Sequence, residues 1–408
     1  MLPRRITVAA IAATTLLLVG CGAGGGTGGS SDALTFWVYE PSSMVQREAL
    51  EKLVGEFETE KRIQVKITYV PKDGFNTKLN SSIAAGKNPD VSYLDQPLIP
   101  KFVADGLLLD VTEQLDAGIG AESFYPAAMN TAYIHGHAYG VPLSMTTVCL
   151  FYNKALVAQP PTTWNEWVAS ARDVYVPDKI AAFEGIGSGG YGGWIFPALV
   201  HSGGGSMVND EQTATTFGDD TGIEAAQLLV SLQQYSDQAV RQSQNAFGNG
   251  QVAYKISGPW DLEALHTNFP KLEFGIAPIP AKAGHDSISS IGGENLVIFA
   301  NSTKQDVAFQ LVEYLTDPNG MNVMAGVTGD FATNLGAAVT IAYTSDPELS
   351  VFLEQMKTAV ARPPLKDWLK VNDEIIGSAL DEILVSGADP AVVLPEASSH
   401  ADEVLFGP

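Results

Sequence analysis

Apolar residues near the beginning of the chain recur with two periods, one typical of strands and the other typical of helices. Runs of β-branched and aromatic residues, or strict alternation of apolar and polar residues, indicate buried or half-buried strands. Apolar residues at every third or fourth position, preceded by serines that can cap a helix, indicate amphipathic helices. The pattern predicts strands over residues 34–39, 63–70 and 90–94, and helices over residues 45–59 and 74–85.

This alternation of strands and helices predicts an α/β fold with a parallel sheet, because βαβ crossovers join parallel neighbours. In such sheets, ligands bind at the carboxyl ends of the strands. Tyr39, Glu40 and Asp95 each lie at the end of a predicted strand, which makes them candidate ligand-binding residues. For each of the three, a role in a turn or a cap is the alternative.

The first twenty residues have the layout of a secretory signal peptide. Two arginines precede an apolar run over residues 6–19, and small residues follow the run. The apolar run is shorter than the roughly 20 residues that a membrane-spanning helix needs. The sequence therefore predicts a signal peptide over residues 1–20.

The residues that follow predict a lipid anchor. Cys21 comes directly after Val-Gly, as in the motif at which bacterial lipoproteins are cleaved and lipidated. Residues 21–31 are almost all small or polar, which is typical of a flexible tether. We expect the protein to be held on the extracytoplasmic face of the cell membrane by a lipid on Cys21. The alternative is an ordinary signal peptide followed by a chance cysteine.

Composition and charge limit the classes of partner. The chain has 408 residues, of which 45% are hydrophobic and 17% charged, so it can bury a large core and should form two or three domains. Its formal net charge of −23 argues against nucleic-acid binding, since phosphates are bound by lysine and arginine surfaces. Cys149 has no other cysteine to pair with if Cys21 is lipidated, and we expect it to be a buried core residue.

Residues 185–194 are rich in glycine and carry Tyr191 and Trp194. The segment lacks the Lys-Ser/Thr pair of a phosphate-binding loop, so a nucleotide is not expected. We interpret it as a loop in which glycines allow a ligand to approach the backbone closely. The two aromatic rings could stack on the C–H face of a sugar. Packing of Trp194 into the core is the alternative.

Other chemistries lack the residues that they need. His135 and His137 could ligate a metal, but no third ligand occurs at a convincing spacing, and a solvent-facing turn is favoured. There is no Gly-x-Ser-x-Gly elbow, and a buried Cys149 is a poor nucleophile. We expect no cofactor and no metal. A glycoside hydrolase stays open, because two carboxylates could pair as acid and base among Glu40, Asp95, Asp261 and Glu294.

Short motifs spread along the chain resemble those of family 1 extracellular solute-binding proteins, the maltose-binding-protein-like receptors of ABC importers. One of them places Glu166 three residues after Thr163, which is the spacing of a capping box and predicts the start of a helix. The motifs occur in the order that the family shows, at residues 84–91, 139–142, 150–154, 161–167, 250–253, 257–260 and 291–293.

The resemblance implies a two-lobed fold of the type II periplasmic-binding-protein class, with a ligand cleft between the lobes. The chain would cross between the lobes three times. The expected lobes comprise residues 32–144 with 276–325 and residues 145–275 with 326–408. The resemblance further implies that hinge closure captures a mono- or oligosaccharide, that a monomer delivers it to the permease subunits, and that another subunit hydrolyses ATP.

The resemblance also suggests further residues of the site. Trp260 matches a tryptophan with which the family commonly stacks a sugar ring. Thr146 lies where the family's chain passes the cleft, and Arg362 lies in a late loop that often contributes to it. Before a predicted strand, backbone amides and polar side chains are offered by Gly293, Glu294 and Asn295.

The ligand itself is open at this stage. A glycerophosphodiester receptor of the same fold is one alternative, and it would depend on Arg362, whose planar guanidinium suits an anion. A surface-anchored glycoside hydrolase is the other. The sequence does not identify the sugar, its chain length or its linkage.

Overall fold

The computed structural model describes residues 33–187 and 189–407. The predicted signal peptide, the lipidation site at Cys21 and the tether over residues 21–31 lie outside the described residues. Within the described ranges, no helix is both long enough and apolar enough to cross a membrane.

Short strands and helices alternate along the whole described chain. The strands are β1 (Leu34–Tyr39), β2 (Val65–Val70), β3 (Val91–Asp95), β4 (Tyr133–Ile134), β5 (His137–Ala138), β6 (Val141–Pro142), β7 (Ser144–Thr147), β8 (Cys149–Asn153), β9 (Ala181–Phe183), β10 (Val252–Ser257), β11 (Phe274–Ala277), β12 (Ile291–Gly292), β13 (Glu294–Ile298) and β14 (Phe331–Ala332).

The α-helices are α1 (Met44–Lys61), α2 (Lys72–Ala84), α3 (Ile99–Ala104), α4 (Thr112–Ala117), α5 (Pro126–Asn130), α6 (Trp164–Val174), α7 (Gly189–Ser202), α8 (Asp220–Gln233), α9 (Gln238–Arg241), α10 (Leu262–Asn268), α11 (Gln305–Thr316), α12 (Pro318–Thr328), α13 (Ala338–Ser345), α14 (Leu349–Met356), α15 (Trp368–Lys370), α16 (Gly377–Leu384) and α17 (Pro390–Phe406). Short 3-10 helices cover Gln96–Leu98, Ala121–Ser123 and Pro259–Asp261, and a π-helical segment covers Val371–Ile376.

The first sheet contains the strands that the sequence predicts, in the order β2-β1-β3-β13-β6. β1 pairs in parallel with β2 and β3, whereas β13 runs antiparallel to β3 and β6. Alternate side chains of β1 are buried, which fixes the face that packs on the core. The predictions for β1, β2, β3, α1 and α2 are confirmed to within two residues at each end.

The second sheet has the order β11-β8-β10-β9. β8 runs antiparallel to both of its neighbours, and β9 is parallel to β10. Beside this sheet, α6 begins with the predicted capping box, in which Thr163 and Glu166 each accept a hydrogen bond from the other's backbone N–H. Trp167 and Trp368 lie in the core of this half of the molecule, and Cys149 is buried as predicted.

A third, smaller sheet links the two larger ones. Its order is β12-β7-β14, and both pairings are antiparallel. Along the chain, β7 lies between β6 of the first sheet and β8 of the second. β12 precedes β13 of the first sheet, and β14 precedes the C-terminal helices. Three passages of the described chain between the larger sheets therefore lie side by side, and we call this small sheet the linking sheet.

The glycine-rich segment over residues 185–194 is predicted as a loop, but α7 already begins at Gly189, so this prediction is corrected. Glycine normally disfavours helix interiors. Here it is needed because α7 packs closely against the π-helical segment: a Cβ at Gly193 would lie 2.2 Å from the carbonyl oxygen of Asn372. The packing requirement outweighs the propensity, and it places Tyr191 and Trp194 on a helix.

Candidate functional site

Three predicted site residues meet at one edge of the first sheet. Tyr39 and Asp95 end the parallel strands β1 and β3, and Glu294 begins the antiparallel β13. Glu294 lies directly opposite Asp95 in the ladder. Ligand sites are expected at the carboxyl ends of parallel strands, and at this edge of the first sheet the carboxylates of Asp95 and Glu294 lie close together.

Glu294 is the most deeply buried of these carboxylates, with 6% of its surface exposed. Its Oε1 accepts a hydrogen bond from Lys72 Nζ at 3.2 Å, and its Oε2 lies 2.8 Å from Ser144 Oγ. The same hydroxyl lies 3.3 Å from Asp330 Oδ2. Burial, followed by repulsion from Glu294, raises the pKa of the Asp330 carboxyl to about 7. The site thus holds two neighbouring carboxylates that share one serine.

The close approach of Ser144 to Glu294 depends on the residue between the linking sheet and β13. Gly293 has a φ of 134°, in the region that favours glycine, and a Cβ there would lie 2.1 Å from the carbonyl oxygen of Ser144. Gly293 therefore acts through the backbone, by allowing β7 and β13 to approach each other.

Arg362 reaches the same sheet edge from the C-terminal part of the chain. Its Nη2 donates to Asp95 Oδ1 at 3.4 Å, and its buried Nε has no hydrogen-bond partner within the described residues. Burial raises the pKa of Asp95, and the charge of Arg362 partly offsets that effect. The guanidinium is thus already paired with a carboxylate.

Tyr39 forms an aromatic wall beside these charges. Its ring packs edge-on against Phe75 and Tyr93, with centroid separations of 4.7 and 5.5 Å. The ammonium group of Lys72 lies 5.1 Å from the centroid of the Tyr39 ring, within cation–π range. Burial, together with the charges of Glu294 and Asp95, raises the pKa of the Tyr39 hydroxyl, so it stays protonated.

The second half of the molecule contributes an aromatic surface made of Tyr191, Trp194 and Trp260. The Trp194 ring lies 5.9 Å from Tyr191 and 6.1 Å from Trp260, measured between centroids. Tyr191 and Trp260 are 41% and 44% exposed, which is unusual for large rings of a core. Trp194 is only partly exposed, and its Nε1 donates to the carbonyl oxygen of Ile291 in the linking sheet at 3.2 Å. The aromatic surface is therefore attached to the linking sheet.

Thr146 lies beside this surface, on β7. A Cβ at Gly292 would contact both the Trp194 ring and the Thr146 methyl group, at 3.0 and 3.1 Å. Thr146 is buried, and its hydroxyl has no hydrogen-bond partner within the described residues.

Cavities connect the carboxylates with the aromatic surface. A cavity of about 150 Å³ is lined by Tyr39, Lys72, Glu294 and Asp330, among others. Asp330 also lines a cavity of about 430 Å³ that extends to Trp260. Trp260 in turn borders a cavity of about 420 Å³ that includes Tyr191. Because neighbouring cavities share these residues, they describe one extended cleft.

The far end of the cleft carries polar residues that the sequence analysis did not select as binding residues. Lys255 Nζ lies 3.4 Å from Glu184 Oε2 and 2.9 Å from Asp261 Oδ2. Burial raises the pKa of Glu184, and Lys255 opposes that shift. Glu184 directly follows strand β9, and Lys72 lies two residues after the end of β2, so the strand-end rule used for Tyr39 could have found both. Nothing local marks Asp330, which follows the αL cap of α12 at Gly329.

Of the predicted residues, Asn295 is not brought into the cleft, and Glu40 reaches only its rim. Asn295 points to the opposite face from Glu294, since neighbours alternate along a strand, and its Nδ2 donates to Thr131 Oγ1 at 3.0 Å. Glu40 lies at the rim of the 150 Å³ cavity, but it is exposed and paired with Arg47 at 3.2 Å.

Residues 52–351 match the sequence profile of the family described as bacterial extracellular solute-binding protein. The chain belongs to this family. The match covers the first sheet apart from β1, the second sheet, the linking sheet and the cleft residues from Lys72 to Asp330. The family is extracellular, and its members are binding proteins.

Alignments with individual relatives cover most of this solute-binding protein. The galactooligosaccharide-binding protein of Bacillus subtilis is 24% identical over 417 residues, which cover 96% of this chain and 94% of the relative. The maltodextrin-binding protein MdxE of the same organism is 25% identical over 357 residues and covers 80% of each chain.

A solved structure shows the same fold. The cyclic α-maltosyl-1,6-maltose-binding protein of Arthrobacter globiformis superposes with a TM-score of 0.80 at 23% identity, covering 92% of this chain and 99% of that one. The predicted two-lobed α/β fold of the maltose-binding-protein type is therefore confirmed.

Proposed function

We propose that this protein is the substrate-binding lipoprotein of an ABC importer and captures a carbohydrate between its two lobes. The observation that carries the proposal is the half-exposed aromatic surface of Tyr191, Trp194 and Trp260, which shares a cleft with the carboxylates of Glu294 and Asp330. Sugar rings stack their C–H face on aromatic rings, and their hydroxyl groups donate hydrogen bonds to carboxylates.

Capture by hinge closure is supported by the linking sheet. Only short strands join the two larger sheets, so a small change of backbone angles there can rotate one half against the other. We propose lobes of residues 32–144 with 276–325 and residues 145–275 with 326–408. Closure would bury the ligand, and the closed form would dock on the permease. The named ligands of the relatives support an oligosaccharide.

The charges of the cleft disfavour an anionic ligand such as a glycerophosphodiester. Arg362 is paired with Asp95, and Lys72 with Glu294. At the far end, Lys255 lies between two carboxylates. At each of these pairs an anion would have to displace a carboxylate, whereas a neutral sugar would not. The exception is Arg241, which lines the 420 Å³ cavity and has no ion-pair partner among the described residues.

Calorimetric titration of the purified protein with mono- and oligosaccharides tests the proposal. We expect one or more sugars to bind, and Trp260→Ala to weaken that binding at least about tenfold, because about 1.4 kcal/mol of stacking is lost. Leu335→Ala is the matched control: Leu335 has nearly the same exposure as Trp260, 46% against 44%, but lines none of the cavities described above.

Two results would contradict the proposal. One is the absence of binding heat and of any melting-temperature shift across the whole panel, with glycerophosphodiesters included. The other is release of new reducing ends from a glycan by the wild-type protein at stoichiometric concentration, which would indicate a glycoside hydrolase.

A further inference from the structure

The 150 Å³ cavity at the edge of the first sheet has polar walls, and we call it the Asp330 pocket. It is much larger than the ~10–15 Å³ that a single water needs. Its lining residues include Tyr39, Glu40, Lys72, Tyr93, Glu294 and Asp330.

Negative charge exceeds positive charge in the Asp330 pocket. The one described cation among its lining residues is Lys72, which is bonded to Glu294 at 3.2 Å. No ammonium or guanidinium of the described chain lies within 4.0 Å of the Asp330 carboxylate, whose side-chain hydrogen bond comes from Ser144. Asp330 is partly buried, and the repulsion from Glu294 adds to the cost of its ionisation. Since Glu40 is paired with Arg47 and Glu294 with Lys72, an ionised Asp330 is left without a positive partner in the part of the chain that the structure describes.

One residue that lines the same pocket carries an unpartnered hydroxyl group. Tyr93 is 3% exposed, and its OH has no hydrogen-bond partner among the described residues. A buried hydroxyl without a partner costs about 1–3 kcal/mol, so buried hydroxyls normally have one. Tyr93 therefore points independently to a polar group that enters the pocket from outside the chain.

We propose that the Asp330 pocket binds the protonated amino group of an amino sugar. An alkylammonium group has three N–H donors, and the pocket offers acceptors in Asp330, Glu294 and the phenol oxygen of Tyr93. Asp330 also lines the 430 Å³ cavity that reaches Trp260. A ring stacked on Trp260 can therefore direct a substituent towards Asp330. This inference rests on the proposed carbohydrate-binding function and narrows its ligand class.

Matched pairs of ligands test the inference on the intact protein at pH 7. Glucosamine, galactosamine and mannosamine are compared with their neutral parent sugars, and the β-1,4-linked glucosamine disaccharide with cellobiose, by calorimetric titration. The N-acetylated forms keep the nitrogen but remove its charge. We expect at least one amino form to bind about tenfold more tightly than both its neutral parent and its N-acetyl derivative.

Variants that change the charge of the pocket distinguish a loss of preference for the amino group from a general loss of sugar affinity. Asp330→Asn should bring the amino and neutral forms to within about twofold of each other, whereas Lys72→Gln should widen the preference for the amino form. Asp173→Asn is the charge-matched control, because Asp173 is exposed on α6 and pairs with Arg172. Circular dichroism confirms that each variant is folded, and the Lys72 variant gives an independent test in the opposite direction.

Each outcome bears on one of the two claims. Neutral sugars that bind as tightly as the amino forms would overturn this inference and leave the proposed function intact. Binding of no sugar would overturn both. A melting-temperature increase with Ca²⁺ alone, equal to that with the amino sugar, would also overturn it, because the missing charge would then be supplied by a metal.

Discussion

The carboxyl group of Asp330 is a charged group held where ionisation is unfavourable. The charges of Glu294 and Lys72 act on it in opposite directions, and the effect of burial and Glu294 exceeds that of the lysine. In the unfolded chain its pKa returns to about 3.8. Between these two pKa values, the folded protein binds more protons than the unfolded chain. The contribution of Asp330 to stability is therefore present below pH 3.8 and is lost as the pH rises through about 7.

Replacement of Asp330 by asparagine should remove this pH dependence. We expect the melting temperature of Asp330→Asn, relative to wild type, to be higher at pH 8 than at pH 5 by at least about 2 °C, the lower end of the change that 1 kcal/mol produces in a domain of 150–250 residues. Differential scanning calorimetry across this range measures the difference. A constant offset at both pH values would show that the carboxyl of Asp330 titrates normally.

The residues of the site differ in how far they could be predicted. Tyr39, Asp95 and Glu294 were accessible because they begin or end strands, and a strand end is visible in the hydrophobic pattern. Trp260 was accessible through a motif. Asp330 was not, because only long-range packing brings the residue after α12 to Ser144 and Glu294.

At the scale of single elements, the sequence predicted structure best where a side chain forms hydrogen bonds with residues close to it in the chain. The capping box of α6 is confirmed because Thr163 and Glu166 satisfy each other's backbone N–H groups. The first residues of α7 were predicted as a loop because the reason for their glycines is not local. Gly193 is needed for close packing against Asn372, which lies far away in the sequence. Strand β1 of the first sheet was predicted well, and its alternate side chains are buried.

The contribution of the α6 cap to the free energy of unfolding can be measured. Thr163→Ala should lower the free energy of unfolding by about 1 kcal/mol, since Glu166 N–H loses its acceptor. Thr59→Ala is the control, because Thr59 is exposed near the end of α1 and alanine is the better helix former. Urea titration measures both variants. Equal losses in the two would mean that the cap contributes nothing specific.

At the scale of the whole molecule, the order of motifs predicted the two-lobed fold. The lobe boundaries stay a prediction, although the expected boundary after residue 275 falls inside β11, which pairs with β8 of the second sheet. Sequence pattern alone does not show where a chain leaves one sheet for another, because strands of both sheets have the same period. Pairing in the linking sheet depends on residues almost 190 positions apart, such as Met145 and Phe331.

The predicted lipid anchor is tested by comparing the two cysteines. Cys21→Ser should move the protein from the membrane fraction to the soluble extracytoplasmic fraction, because the residue that carries the lipid is lost. Cys149→Ser should leave it in the membrane fraction, since Cys149 is buried within the folded body. Detergent phase partitioning followed by immunoblotting measures both. Equal partitioning of the two variants would contradict lipidation at Cys21.

The interior position of β13 in the first sheet has a consequence for biosynthesis. β1 is complete at Tyr39, but the strand that lies between β3 and β6 is complete only at Ile298. At a synthesis rate of roughly 5–20 residues per second, about 13–50 s pass between the synthesis of Tyr39 and that of Ile298. During that interval the first core lacks an interior strand and cannot close. This delay is compatible with the predicted signal peptide, because a chain that is threaded across a membrane has to be unfolded.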